Sequence, residues 1–206
     1  VTNAPISTST ALSASELSHD DVPRCAWAGI DTEYRRYHDE EWGSPLHGDG
    51  PLFEKISLEG FQAGLSWITI LKRRPAFRTA FYGFDMVRVA ELTDDEVEEL
   101  MADTAIIRNR AKILATRSNA RVARDLTEHS PGALDELVWS FRPTGPRPRP
   151  RSAAEIPAIT PESTALSAAL RALGFKFVGP TTMYALMQSA GLVDDHVEGC
   201  WRAGAS

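Results

Sequence analysis

Only two cysteines, Cys25 and Cys200, occur among 206 residues. That count excludes a disulfide scaffold and suits a reducing compartment. Long apolar runs are also missing: none approaches the roughly twenty residues that a membrane-spanning helix requires. The opening "VTNAPISTSTALSASELSHDD" has neither a basic start nor an apolar block, so no secretory signal is expected there. Its Ser, Thr and Ala content predicts a disordered tail over 1–23, with a single domain over 24–206. Strand signals are scarce, "FKFVG" at 175–179 being the best. No repeat of solenoid length is present.

Positive charge is scarce overall but not locally. The net charge is −6, which argues against a uniformly basic surface. Yet "TAIIRNRAKILATRSNARVAR" (104–124) carries six basic residues and no acidic one, and "FRPTGPRPRPR" (141–151) adds arginines. These stretches read either as solvated flanks or as a local basic face.

What the sequence does have is helical period. Helices are expected over 32–42 with Thr32 as N-cap, 51–74 from Pro51 to a basic end, and 93–103 with a capping Thr93. Others are expected over 109–126, 131–141, 161–174 with Gly174 as stop, and 180–191. "PRPRPR" (146–151) excludes helix, because each proline removes an N–H and clashes with the preceding turn. The expected architecture is all-α, with many short helices.

Within 51–74, Lys55, Glu59, Gln62, Ser66, Thr69 and Arg73 recur at steps of three and four, a narrow polar stripe on an otherwise apolar helix. Glu59 either faces water or faces a groove. Gly60, Gly64 and Trp67 beside it offer a second reading, a pocket for a flat cationic ring. Two Cys/His pairs stand out as well: Cys25 with His38, and His196 with Cys200 at i and i+4, which on a helix would share one face. They read as a four-ligand structural zinc site, or as two buried thiols and two ordinary histidines.

Several stretches taken together resemble the type I 3-methyladenine DNA glycosylases, of the helix-hairpin-helix superfamily. They are "RCAWAG" (24–29), "YRRYHDEEWG" (34–43), "LFEKISLEGFQAGLSWITILKRR" (52–74), "IIRNRAKI" (106–113), "LVWSF" (137–141) and "LGFKFVGPTTMYALMQSAGLVDDHVEGC" (173–200). The resemblance covers residues 24–201. It implies a helix-hairpin-helix glycosylase-like fold, with structural Zn2+ on Cys25, His38, His196 and Cys200 joining the chain ends. It implies a monofunctional base-excision-repair enzyme, without lyase activity, that flips 3-methyladenine out of alkylated double-stranded DNA and hydrolyses its glycosidic bond. Glu59 is then the catalytic and base-recognising carboxylate, and Trp27, Tyr34, Tyr37 and Trp67 the base-binding walls. Trp42 and Trp139 are expected in the core, and Asp125 and Asp135 are expected to be ordinary helix carboxylates. The DNA hairpin is expected near 104–113 with Arg108, Arg110 and Lys112, although Ala105 stands where the family usually has glycine. Leu65 is either a DNA wedge or core packing. A monomer in the bacterial cytoplasm, with no membrane partner, completes the expectation.

Overall fold

The computed structural model describes residues 22–145 and 147–204; of the tail expected over 1–23, residues 1–21 lie outside the described residues. Nine α-helices appear among them: α1 (Thr32–Glu40), α2 (Asp49–Gln62), α3 (Trp67–Ala80), α4 (Met86–Ala90), α5 (Asp94–Ala102), α6 (Arg110–Thr127), α7 (Ala133–Trp139), α8 (Pro161–Leu173) and α9 (Pro180–Ser189). No strand occurs among the described residues. The all-α expectation holds, and no helix found is long and apolar enough to cross a membrane.

Local chemistry sets the boundaries. Asp31, not Thr32, caps α1 by accepting from the Tyr34 amide. Thr93 and Glu96 form a reciprocal capping box on α5. Asn109 caps α6 through the Lys112 amide, and Gly174 ends α8 in the left-handed region.

The predicted 51–74 helix is in fact two. Its backbone leaves helical geometry at Ala63, and Gly64 takes φ +86°, a value that glycine adopts without a Cβ penalty. α2 is apolar on most sides and correspondingly buried, from Leu52 to Phe61. It packs against α3, α6, α7 and α9. The polar stripe therefore divides. Lys55 and Glu59 stay with α2 and are buried, at 8% and 2% exposure. Ser66 and Thr69 bond each other on the surface, and Arg73 donates to the carbonyls of Thr104 and Ala105.

"FKFVG" is a loop rather than a strand. Asn119 clamps Lys176 through both main-chain groups, at 2.8 and 3.0 Å, while Phe177 sits at φ +57°. A side chain at Gly60 would meet this loop, with the Phe177 Cβ at 3.4 Å. That glycine serves a close approach of the backbone.

Candidate active site and metal centre

A cavity of about 190 Å³ opens beside α2 and is lined by Trp27, Tyr34, Tyr37, Trp42, Glu59, Gln62, Trp67, Ile156, Ala185, Gln188 and Ser189. Four separate parts of the chain bring the residues expected at the base site, and α9 adds Ala185, Gln188 and Ser189. The turn after Cys25 brings Trp27, and α1 brings Tyr34 and Tyr37 one turn apart. The α2 helix brings Glu59, and Trp67 opens α3 just past the Gly64 break. All five residues expected in the base site are thus brought together. Trp42 belongs to the buried core, as expected, and also lines the cavity, packing edge-on against Trp27 at 5.0 Å. Trp139 stays away from it, stacked on His47.

Glu59 accepts one hydrogen bond, from Ser189 Oγ at 2.9 Å. Its other oxygen, Oε2, is buried without a partner, as is Trp67 Nε1. Burial raises the Glu59 carboxyl above its ordinary value, and Lys55 and Ser189 oppose that rise. Such unmatched polar atoms are uncommon in folded proteins and, in a cavity wall, mark where a ligand's polar groups are met. Lys55 escaped the sequence reading as anything but a stripe residue. Its ammonium donates to Tyr37 Oη at 2.7 Å and lies 4.5 Å from the centre of the Trp67 ring. Only burial could have singled it out, and burial of a polar stripe is invisible until the neighbouring helices are placed.

Cys25, His38, His196 and Cys200 meet, all buried, with their ligand atoms within 4.8 Å of one another. His38 projects from α1, but His196 and Cys200 sit in a turn with Gly199 at φ +81°, not on a helix as their spacing suggested. Both imidazoles are oriented by carbonyl or carboxylate acceptors: His38 Nδ1 donates to Asp39 at 2.8 Å, and His196 Nε2 donates to the Trp42 carbonyl at 3.2 Å. The opposite nitrogens are left as lone-pair donors toward the centre. Asp39 is itself held by Arg24 and by Trp201 Nε1. The S–N separations are 3.4, 3.5 and 3.7 Å. A tetrahedron of ordinary Zn–S and Zn–N bonds has mixed edges of about 3.6 Å. The donor set and its spacing fit a four-coordinate metal. Gly43 borders it, and a Cβ there would stand 2.9 Å from His196 Nε2.

The basic stretches have mixed fates. Arg108 is exposed on the α5–α6 connection. Arg110 is also exposed and pairs with Glu98. Ala105 avoids the left-handed region: the non-glycine residues found with positive φ are Tyr82, Phe84 and Phe177. The missing glycine therefore imposes no strain there. Lys112 departs from its expected part in DNA contact. It is 7% exposed, and its Nζ donates to the carbonyls of Phe61 and Ala63 at 2.8 and 2.7 Å, closing the end of α2. In the Pro/Arg segment, Arg147 binds Tyr184 and Asp195, and Arg149 binds Asp194 and the His196 carbonyl. These arginines lace the segment to the turn carrying His196. Leu65 is 41% exposed in the α2–α3 loop, so it is not core. Asp135 caps Gly48 and Asp125 pairs with Arg124, both away from the cavity lining.

Helices gathered around an aromatic cavity lined by a buried carboxylate, with distant segments drawn together on a four-donor cluster, define an all-α protein with an enclosed aromatic pocket. A family model for methyladenine glycosylase matches residues 27–203. DNA-3-methyladenine glycosylase 1 of Escherichia coli (strain K12) is 48% identical over 180 residues, covering 87% of this chain and 96% of the relative. DNA-3-methyladenine glycosylase of Haemophilus influenzae is 45% identical, over 86% of this chain and 96% of its own. A solved structure of 3-methyladenine DNA glycosylase I superposes with a TM-score of 0.83 at 46% identity, covering 87% of this chain and 98% of the other. The chain belongs to the methyladenine glycosylase family.

Proposed function

We propose that this protein is a base-excision-repair DNA glycosylase that takes 3-methyladenine from alkylated double-stranded DNA. The observation carrying the proposal is the buried, half-satisfied carboxylate of Glu59 in a cavity walled by Trp27, Tyr34, Tyr37 and Trp67. The names of the relatives at 45–48% identity support the substrate.

A base inside a duplex is out of reach of a buried cavity, so the nucleotide is extruded first; a damaged, poorly stacked base lowers that cost. 3-Methyladenine in DNA is cationic and leaves as a neutral base, so little acid catalysis is needed. Glu59 Oε2 accepts from the exocyclic amine and complements the positive ring. Trp67 stacks on it, a cation–π contribution of about 0.5–2 kcal/mol. Water attacks C1′ and the sugar passes through oxocarbenium character eased by DNA phosphates. An abasic site remains, with no lyase step, because none of this assigns an amine nucleophile to C1′.

The α5–α6 connection, with Arg108 and Arg110 outward, acts as the DNA-binding hairpin. Leu65, exposed beside Gly64, fills the gap left by the flipped base. Cys25, His38, His196 and Cys200 would hold a zinc ion, which with four protein donors would supply structure rather than a reactive site. The protein works as a monomer in the bacterial cytosol.

The test is release of free bases from methylated DNA by wild type, Glu59→Ala and Glu59→Gln, scored for 3-methyladenine, 7-methylguanine and hypoxanthine. The expected result is 3-methyladenine release by wild type and severe loss in both variants with folding intact. Release of another base would move the specificity. Salt-sensitive DNA binding without any release would make the protein a non-catalytic DNA-binding module.

A further inference from the structure

Lys55 is the one buried ammonium against the cavity wall that the proposed chemistry leaves without a task. It sits one helical turn before Glu59 on α2 and is 8% exposed. Its Nζ donates to Tyr37 Oη at 2.7 Å and stands 4.5 Å from the centre of the Trp67 ring. On its other side it lines a second cavity, of about 240 Å³, together with Glu40, Glu41, Glu54, Arg74, Arg78 and Ser189. Ser189 lines both this charged cleft and the aromatic cavity, and Lys55 reaches the aromatic cavity through its contacts with two of its wall residues, Tyr37 and Trp67.

An ammonium has donors and no acceptor. The Tyr37 oxygen must therefore accept from Lys55, which turns the hydroxyl proton away from that ammonium. Glu59 receives one hydrogen bond, from Ser189, and keeps Oε2 unmatched. A fully buried carboxylate so thinly solvated tends to take up a proton, and a protonated Glu59 would offer an O–H where a purine amine needs an acceptor.

We propose that Lys55 is a positioning residue of the cavity, whose buried ammonium fixes the direction of the Tyr37 hydroxyl and holds Glu59 as an ionised, acceptor-only carboxylate toward the donor edge of the base. This deepens the glycosylase reading and rests on it for the identity of the ligand. The surrounding charges agree. Lys55 is faced by Glu59, Glu41, Glu54 and Arg74, and burial brings its ammonium down to about 8, so it remains mostly charged at neutral pH. Glu59 is faced by Lys55 and Ser189 and acts in turn on Tyr34 and Tyr37.

The test reads Glu59 directly, in the purified full-length protein without ligand. Carbon-13 NMR of labelled glutamate follows its titration, and Glu59→Gln identifies the signal. In Lys55→Met the Glu59 midpoint should rise by about one unit or more, the scale of a lost neighbouring charge. Linkage requires the reverse effect to be equal: in Glu59→Gln the Lys55 midpoint should fall by the same amount. That second measurement decides the matter alone if Lys55→Met does not fold. Base release by Lys55→Met should fall at pH values below the displaced Glu59 midpoint and recover as pH rises through it. An unmoved Glu59 midpoint, an unmoved Lys55 midpoint in Glu59→Gln, or a loss of release independent of pH would overturn the assignment. Because the titrations need no substrate, they remain decisive even if wild type releases no 3-methyladenine.

Discussion

Removing metal from the Cys25/His38/His196/Cys200 cluster should weaken the whole molecule rather than one corner of it. A metal held by the cluster would join Cys25 to Cys200 and close a loop of roughly 175 residues, for which the loop-entropy relation gives about 5 kcal/mol. In a chain of this size, each kcal/mol moves the melting temperature by about 2–4 °C, so the expected drop is about 10–20 °C. Some of this is retained without metal, because Trp201 also ties the two segments together, its indole N–H donating to Asp39 and its amide to the Pro23 carbonyl. The cavity should suffer with the fold. Trp27 lies two residues past Cys25, Tyr37 precedes His38, and Trp42 packs edge-on against His196 at 4.6 Å. The assay is zinc quantitation of purified protein, with thermal melts before and after chelation, alongside Cys200→Ala. Base release should decline in parallel with metal content. Zinc-free purified protein that melts and works unchanged in Cys200→Ala would refute the reasoning.

Two further outcomes follow from individual side chains. Lys112→Met should cost about 1–3 kcal/mol, because two carbonyls at the end of α2 lose their charged donor; it should leave the salt dependence of DNA binding unchanged. Arg108→Ala should do the opposite, sparing denaturation midpoints while lowering the salt slope by about one; salt titrations of both variants separate the two roles. Base release by wild type should increase with pH through a midpoint above the ordinary glutamate value, since burial raises Glu59 and only its ionised form carries the negative charge that complements the cationic base. A pH–rate profile already flat below the ordinary glutamate value would remove Glu59 from that role.

Much of this was legible in the sequence. The cap at Thr93 and the stop at Gly174 are local hydrogen-bonding and backbone effects, so they appear in the order of residues. The four metal-cluster residues were legible as spaced donor types, although their helical setting was misread. Gly199 turns the chain between His196 and Cys200, and a turn brings i and i+4 side chains together as well as a helix does. The break after Gln62 was missed because an apolar-polar period runs straight across it. What ends α2 is Gly64 together with Lys112, fifty residues away, which takes over the freed carbonyls.

By itself the sequence determined the all-helical character, the residues that could ligate a metal, and the kinship with the glycosylases, because these depend on local period and residue type. Only the tertiary structure decided which charges lie inside. Glu59 and Lys55 share a stripe that would be ordinary on a solvent-facing helix. Packing by α1, α3 and α9 strips that stripe of water, leaving one carboxylate oxygen unmatched and one ammonium against two aromatic rings. The same packing takes Lys112 from the basic stretch into the interior and leaves Arg108 outside. Desolvation is a property of neighbours, and those neighbours come from parts of the chain more than a hundred residues apart.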